Sequence, residues 1–258
     1  MIILKKRKKF SIGILLFRFI SLVVVVICIL LLHNWNNENN ENAQIADDLS
    51  NDLVATESTM QGVDSTRKYE KFLVNFNNLM TQNEDTVAWV KLNNSNINFP
   101  IVKTDNNDFY LTHNFNKQEN SAGWIFADHR NNFDTLDKNT IIYGHNRRNS
   151  TMFSNLKLLL NSSYYKEDSN KYFYFITKNG NYAAEIFSVY KVNKNKLVLY
   201  NSFESEEQFN SFIDKYKQNS IYDFNIDVSY EDNIITLCTC DNNNKYRIVV
   251  FAKLIKLN

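Results

Sequence analysis

The chain has 258 residues, of which 44% are hydrophobic and 22% are charged, and its formal net charge is +1. This composition is ordinary for a chain that folds around a packed core. Six positive charges and no acids precede residue 33, so residues 33–258 carry a net charge of −5. No basic face of the kind that binds nucleic acid is indicated, and nucleic acid is excluded as a partner.

Residues 10–32 form an apolar run. About 20 such residues cross a hydrocarbon core of roughly 30 Å as a helix, so the run predicts a membrane anchor, with Arg18 near its N-terminal end able to snorkel. Because the basic cluster lies before the run, in residues 1–9, the positive-inside rule predicts a cytoplasmic tail and an extracellular remainder. The alternative is a cleaved signal peptide, which the length of the run and the lack of a small-residue cleavage site disfavour.

Residues 33–64 are rich in Asn, Asp and Glu and poor in large apolar residues, which predicts a polar stalk with at most a weak helix in its later part. From residue 65 the apolar residues recur at helical spacing. This pattern predicts an amphipathic helix to about Gln82, which packs on the following domain as a cover. We therefore expect one extracellular domain over residues 65–258.

A body rich in β-structure follows. Short runs with β-branched or aromatic content alternate with turn residues, and they indicate a barrel or a sandwich. The predicted strands cover residues 87–92, 97–102, 123–127, 140–143, 172–177, 182–191, 197–200, 234–240 and 246–256. Two helices are predicted between them by apolar residues at helical spacing, over 150–160 and 205–218.

Candidate chemistry is concentrated at strand ends. Cys240 ends a predicted strand, Arg247 lies on the next one, and His145 follows the strand 140–143 after one glycine, a place where rigid scaffolds present functional side chains. A cysteine attacks as the thiolate, a base activates it, and an arginine can stabilise an oxyanion. The alternative interpretations are a turn histidine, a buried structural thiol and a surface arginine.

The remaining histidines and cysteines offer less. His33 flanks the apolar run, and His113 and His129 lie in polar segments typical of surface loops. Cys28 lies within the apolar run, and the three cysteines match neither a disulfide framework nor a zinc site. Cys238 and Cys240 share one face of a strand, where a bridge between positions i and i+2 is geometrically poor.

The sequence resembles a known family. The run TLCTC at 236–240 resembles the TLxTC signature of the sortases, membrane-anchored cysteine transpeptidases of Gram-positive bacteria, and Arg247 resembles their arginine on the next strand. The run IIYGHN at 141–146 resembles their histidine segment. Further similar segments occur in the same order: DTVAWV at 85–90, INFPIV at 97–102, GWIFADHR at 123–130 and TMF at 151–153. The resemblance covers about residues 67–256, and its helical features resemble class B.

The resemblance implies a mainly β fold, an eight-stranded sortase-type barrel with an N-terminal helix and a helical insertion before the cysteine strand. It also implies that Cys240 is the nucleophile, His145 the general acid and base, and Arg247 the stabiliser of the oxyanion or substrate. Tyr143, Cys238 and Thr239 are candidates for substrate binding. Cys238 stands where class B members often have serine, so it either lines the acyl pocket or is an oxidation liability.

The activity implied is cleavage of a C-terminal sorting signal on secreted proteins. The threonine carbonyl would pass through a thioacyl enzyme to an amine of a peptidoglycan precursor, with no metal or organic cofactor. One alternative is a cysteine peptidase that releases the same intermediate to water. The other is a catalytically inactive, membrane-tethered binding domain.

Overall fold

The computed structural model describes residues 12–60, 68–147, 151–240 and 245–257, and for residues 56–60 and Cys240 it describes the backbone alone. The predicted cytoplasmic tail, residues 1–9, lies outside the described residues, as do residues 10 and 11 of the predicted span. Helix α1 (Ile12–Ser50) begins within that span, and it is long and apolar enough to cross a membrane.

The remaining elements follow in chain order. The strands are β1 (Leu53–Met60), β2 (Lys68–Val74), β3 (Thr86–Leu92), β4 (Asn98–Val102), β5 (Phe126–Ala127), β6 (Asn139–Gly144), β7 (Tyr172–Thr177), β8 (Gly180–Asn193), β9 (Ile234–Cys240) and β10 (Tyr246–Leu257). The further α-helices are α2 (Phe76–Gln82), α3 (Ser162–Tyr165) and α4 (Glu206–Gln218). Short 3₁₀ segments lie at Phe109–Leu111, Phe153–Leu160, Asp168–Asn170 and Lys194–Lys196.

Strands β3 to β10 close into an eight-stranded barrel in the order β10-β8-β7-β3-β4-β5-β6-β9, and β1 pairs with β2 outside it. The predicted barrel is therefore confirmed, and so is the helical insertion, since α4 lies between β8 and β9. Strand β9 runs parallel to β6 and antiparallel to β10. The three strands predicted to carry the histidine, the cysteine and the arginine are thus neighbours.

Two apolar clusters lie on opposite sides of the barrel wall. Ile235 and Leu237 of β9 point into the main core inside the barrel, whereas Ile234 and Cys238 belong to a second cluster beneath α4. This division follows from the period of two in a strand, which sends successive side chains to opposite faces. Cys238 is consequently on the outer face, and Cys240 has the same parity.

Helix α4 has the apolar face that its sequence predicted, and the structure adds a capped N-terminus. Ser205 caps its N-terminus by accepting a hydrogen bond from the backbone N–H of Gln208, acidic residues occupy the first turn, and basic residues occupy the last. The buried residues follow helical spacing: Phe209, Phe212, Ile213 and Tyr216. They cover the outer face of β8 to β10, and burial of each large side chain contributes about 1.5–3 kcal/mol.

The structure differs from the sequence prediction over residues 33–60 and 68–74, and residues 61–67 of the predicted stalk and helix lie outside the described residues. Helix α1 continues to Ser50 as a regular helix docked on the barrel, in place of a stalk with at most a weak helix. The amphipathic helix predicted over 65–82 is wrong in its first part, because residues 68–74 form β2. Tyr69 of β2 donates a hydrogen bond to Glu185 on β8, and the backbone N–H of Phe72 donates to Asn181. These contacts with the barrel favour the extended chain, and only α2 remains helical.

Three smaller differences occur later in the chain. The predicted strand at 197–200 is wrong: Leu197 and Leu199 instead pack irregularly against the cluster beneath α4. The strand predicted at 123–127 is reduced to β5. The helix predicted over 150–160 is a 3₁₀ segment, Phe153–Leu160, and residue 150 lies outside the described residues.

Candidate active site

The barrel brings the ends of three strands together. Tyr143 on β6 pairs with Cys238 on β9, and Cys240 at the end of β9 pairs with Arg247 on β10. Because β6 and β9 are parallel, their carboxyl ends meet at the same edge of the barrel. His145, one residue beyond the end of β6, is therefore beside the strand that ends in Cys240.

A cavity of about 170 Å³ opens at this edge. Its wall includes Tyr143, His145, Cys238 and Arg247, with Asn107, Leu111 and Phe126 on the facing loops and strand. The structure thus gathers four of the six residues predicted for the site around one cavity. The backbone of Cys240 pairs with that of Arg247. Thr239 is buried at 1% exposure, has the opposite parity to Cys238 and does not line this cavity.

His145 is held by a carbonyl group. Its Nε2 lies 2.9 Å from the carbonyl oxygen of Leu111. A carbonyl oxygen only accepts hydrogen bonds, so Nε2 carries the proton and Nδ1 of the neutral ring has the lone pair. Burial lowers the pKa of His145 below its ordinary value, and the charges of Arg147 and Arg247 lower it further, against the opposing effect of the Leu111 carbonyl. The imidazole is neutral at neutral pH and can accept a proton.

Two glycines leave the room that this histidine segment needs. A Cβ on Gly144 would stand 2.5 Å from Ile125 Cδ1 and 2.8 Å from Phe153 Cγ. Gly123 has a φ of +59°, and a Cβ there would stand 2.5 Å from the carbonyl oxygen of Tyr110 and 2.9 Å from His145 Cδ2. The backbone at residue 123 therefore lies directly against the imidazole edge, which only glycine permits.

A buried carboxylate organises the other side of the cavity. Asp128 is fully buried and accepts hydrogen bonds from Arg130 Nε and Nη2, both at 2.8 Å, from Tyr143 Oη at 3.0 Å and from Asn107 Nδ2 at 3.2 Å. Burial alone would raise the pKa of Asp128, but the side-chain and backbone hydrogen bonds from Arg130, the hydrogen bond from Tyr143 and the charge of Arg130 lower it to about 2. Burial and the Asp128 charge raise the pKa of Tyr143, so its hydroxyl stays protonated and donates.

Sequence reasoning missed Asp128, Gly123 and Asn107 as parts of the site. Asp128 directly follows β5 and precedes Arg130 by two residues, and a carboxylate so placed with a nearby guanidinium was the available signal. Its bonds to Asn107 and Tyr143 connect residues 21 and 15 positions away, which no local pattern reveals.

The other histidines do not line the cavity. His113 stacks on the ring of Phe109 with centroids 4.0 Å apart, and His129 has its Nδ1 3.6 Å from Asp128 Oδ1 at a half-exposed position. His33 contacts Asn37 on α1. Within the part of the chain that the structure describes, no group of three or more His, Cys, Asp or Glu side chains is arranged to hold a metal ion.

Comparisons of this chain with known protein families, sequences and structures all find sortases. A family model described as a Sortase domain matches residues 90–255. Sortase B of Listeria monocytogenes is 34% identical over 247 residues, covering 91% of this chain and 96% of the relative. The crystal structure of Bacillus anthracis sortase B in complex with AAEK2 has a TM-score of 0.73 at 31% identity and covers 85% of this chain and 98% of that one. A Staphylococcus aureus sortase B–substrate complex has a TM-score of 0.68 at 34% identity and covers 71% and 85%.

Proposed function

The chain belongs to the sortase family of cysteine transpeptidases, and we propose that it cleaves a sorting signal near the C-terminus of secreted proteins and transfers the threonine carbonyl to an amine of a peptidoglycan precursor. Cys240, His145 and Arg247 carry the reaction in this proposal. Its main support is the cavity at the end of β9, because His145 and Arg247 line it beside the strand that ends in Cys240. The structure of a relative, Staphylococcus aureus sortase B, has been solved as a substrate complex.

The first half-reaction uses His145 as a base and then as an acid. The neutral imidazole accepts the thiol proton of Cys240 on the nitrogen that is not bonded to Leu111, and the sulfur forms a bond to the threonine carbonyl carbon. When the tetrahedral intermediate collapses, the C–N bond breaks and the imidazolium gives its proton to the departing amine. A thioester on Cys240 and a neutral His145 remain.

The second half-reaction runs in the opposite sense. An incoming amine attacks the thioester carbonyl, His145 takes the proton from its nitrogen, and the thiolate of Cys240 departs as the new amide forms. Transfer to the amine and hydrolysis differ only in which nucleophile enters the cavity. Since the cavity wall is largely apolar, with Leu111, Phe126 and Tyr143 around His145, it favours an acyl group that excludes water.

Arg247 supplies the positive charge for both half-reactions. It lines the cavity, and its charge lowers the pKa of His145, so its electrostatic field reaches the proposed reaction centre. A cation beside a cysteine favours the thiolate. A hydrogen-bond donor aimed at a developing oxyanion typically lowers the activation barrier by about 3 kcal/mol. We assign Arg247 to the oxyanion or to the adjacent substrate backbone.

The N-terminal part of α1 is the proposed membrane anchor, with the N-terminus in the cytoplasm and the barrel outside. Asn42, which contacts the barrel, lies ten residues beyond Leu32, the end of the predicted apolar span. At 1.5 Å per residue this is about 15 Å of helix, so the barrel would stand close to the outer membrane surface. Secreted substrates and lipid-linked precursors both occur there, and tethering raises their effective concentration.

The test uses the full-length chain in detergent micelles with sorting-type pentapeptides, each with and without an amine of the peptidoglycan type. We expect an amide product that carries the acyl fragment up to threonine, lost in the Cys240→Ala and His145→Ala variants. Hydrolysis at a rate that no such amine changes would instead identify a peptidase. The absence of any cleavage across the peptide set would contradict the proposal.

A further inference from the structure

One face of helix α1, beyond the apolar span, packs against the barrel. Its residues recur at intervals of three or four, as one side of an α-helix requires. The inward residues are Glu38, Asn39, Asn42, Ile45, Ala46 and Leu49. Ile45, Ala46 and Leu49 belong to or pack against the main core, while Asn39 and Asn42 are buried at 3% and 0% exposure. In the N-terminal half of this contact, the buried side chains are therefore amides, whereas those in the C-terminal half are apolar.

The buried amides bind two particular segments of the barrel. Asn42 Nδ2 donates to the carbonyl oxygen of Gly123 at 2.9 Å. Asn39 Oδ1 accepts from Arg147 Nη2 at 2.9 Å, and Arg147 Nη1 donates to the carbonyl oxygen of Ser121 at 2.8 Å. A buried amide N–H₂ group or guanidinium is unfavourable unless it donates hydrogen bonds, so these three contacts favour one orientation of the helix on the barrel.

Both segments lie against His145. Gly123 is so close to the imidazole that a Cβ at this position would stand 2.9 Å from Cδ2. Arg147 follows His145 by two residues on the same segment, and that segment is also held by the backbone N–H of Phe153, which donates to the His145 carbonyl at 3.0 Å. Asn42 thus holds Gly123, whose backbone lies against the imidazole of His145. Asn39 holds Arg147, which lies two residues after His145.

We propose that Asn42 and Asn39 are positioning residues, through which the membrane-proximal part of α1 holds the imidazole of His145 in its place at the cavity. The inference rests on the proposed role of His145 in the reaction. It makes residues 33–50 a working part of the catalytic unit as well as a connection to the span. Neither asparagine touches the cavity, so their effect is transmitted by Gly123 and Arg147.

The test compares full-length wild type with Asn42→Ala and Asn39→Ala in detergent micelles. The matched control is Asn40→Ala, which removes an exposed amide from the outward face of the same helix. Three quantities are measured: the melting temperature, the side-chain ¹H–¹³C resonances of the four histidines, and kcat and KM for a sorting peptide. His145→Gln assigns the His145 resonances.

We expect Asn42→Ala to shift the resonances of His145 and leave those of His33 in place. We also expect kcat to fall about fivefold, the factor that corresponds to the free energy of one hydrogen bond if it is lost in full from the transition state, with KM within about twofold of wild type. Asn40→Ala should match wild type throughout. A lower melting temperature with unchanged His145 resonances and kcat would overturn the proposal and leave the asparagines a purely structural role. If wild type turns over no sorting peptide, the proposed function fails, while the resonances still decide the positioning claim.

Discussion

Replacing Asp128 by Asn tests how the cavity wall is organised. The carboxylate accepts from the guanidinium of Arg130, from the Tyr143 hydroxyl and from the Asn107 amide. An amide at this position retains one acceptor and directs its N–H₂ group at other donors. We expect loss of the Arg130 pair and displacement of Tyr143 and Asn107 from the cavity wall.

The size of the effect follows from the pKa of Asp128, which the fold lowers from 3.8 to about 2. This lowering of the pKa by about 1.8 units corresponds to about 2.5 kcal/mol at 1.36 kcal/mol per unit. Because the Arg130 side chain is 43% exposed, solvent screening reduces this to about 1–2 kcal/mol. For a domain of this size the melting temperature of Asp128→Asn at pH 7 should fall by roughly 3–6 °C.

The pH dependence has a definite sign. A carboxyl whose folded-state pKa is lowered contributes stability above its unfolded pKa and loses it as the pH falls through the folded value. The difference in unfolding free energy between wild type and Asp128→Asn should therefore be constant above about pH 5 and shrink between about pH 4 and pH 2. Chemical denaturation at pH 7, 4 and 2.5 measures it.

Asp108→Asn is the control, because this aspartate is exposed in the same loop as Asn107. Its unfolding free energy should equal that of wild type within about 0.5 kcal/mol. An Asp128→Asn deficit that is as large at pH 2.5 as at pH 7 would show that the loss of stability does not depend on the carboxylate charge, contrary to this prediction.

Three further predictions concern the histidine strand and the second cysteine. Gly144→Ala should destabilise the fold by about 1–3 kcal/mol in chemical denaturation, because the new methyl group would overlap Phe153; a neutral result would mean that this contact yields. Cys238→Ala should keep the transpeptidase activity and the alkylation of Cys240, since Cys238 is buried beneath α4 at 3% exposure. Mass spectrometry measures the alkylation, and its loss in Cys238→Ala would contradict this prediction. Because the pKa of His145 is lowered in the folded state, its contribution is present above about pH 6.5 and lost below, so wild type should lose stability relative to His145→Gln between pH 7.5 and 5.5. An unchanged difference would show that the ring is not desolvated.

The barrel was predictable where local pattern and environment agree. Strand β9 was predicted with its observed bounds, because its β-branched and apolar residues fit a strand buried on both faces. Helix α4 was predicted almost to its ends by the helical spacing of its apolar residues. The proximity of His145, Cys240 and Arg247 was implied by the family resemblance, and the pairing of β6, β9 and β10 supplies its physical basis.

Other parts were not predictable from local pattern. The helix face that docks on the barrel includes Asn39 and Asn42, so a search for apolar periodicity reads residues 33–50 as polar surface. Residues 68–74 have apolar side chains that fit helical spacing. Tertiary contacts favour a strand there, namely the pairing with β1 and the hydrogen bonds of Tyr69 and Phe72 to β8. Asp128 gained its role through burial and through partners on separate segments of the chain, Asn107 in a loop and Tyr143 on β6, which are properties of the tertiary structure.

The central claim is that Cys240 forms the thioacyl bond. The full-length chain is mixed with an intact sorting peptide that it cleaves, and the reaction is quenched in acid. Intact-protein mass spectrometry then measures the adduct directly, and peptide mapping locates it. We expect a mass increase equal to the peptide fragment up to threonine, mapped to Cys240, present in Cys238→Ala and absent in Cys240→Ala. An adduct that maps to Cys238, or that persists in Cys240→Ala, would contradict it.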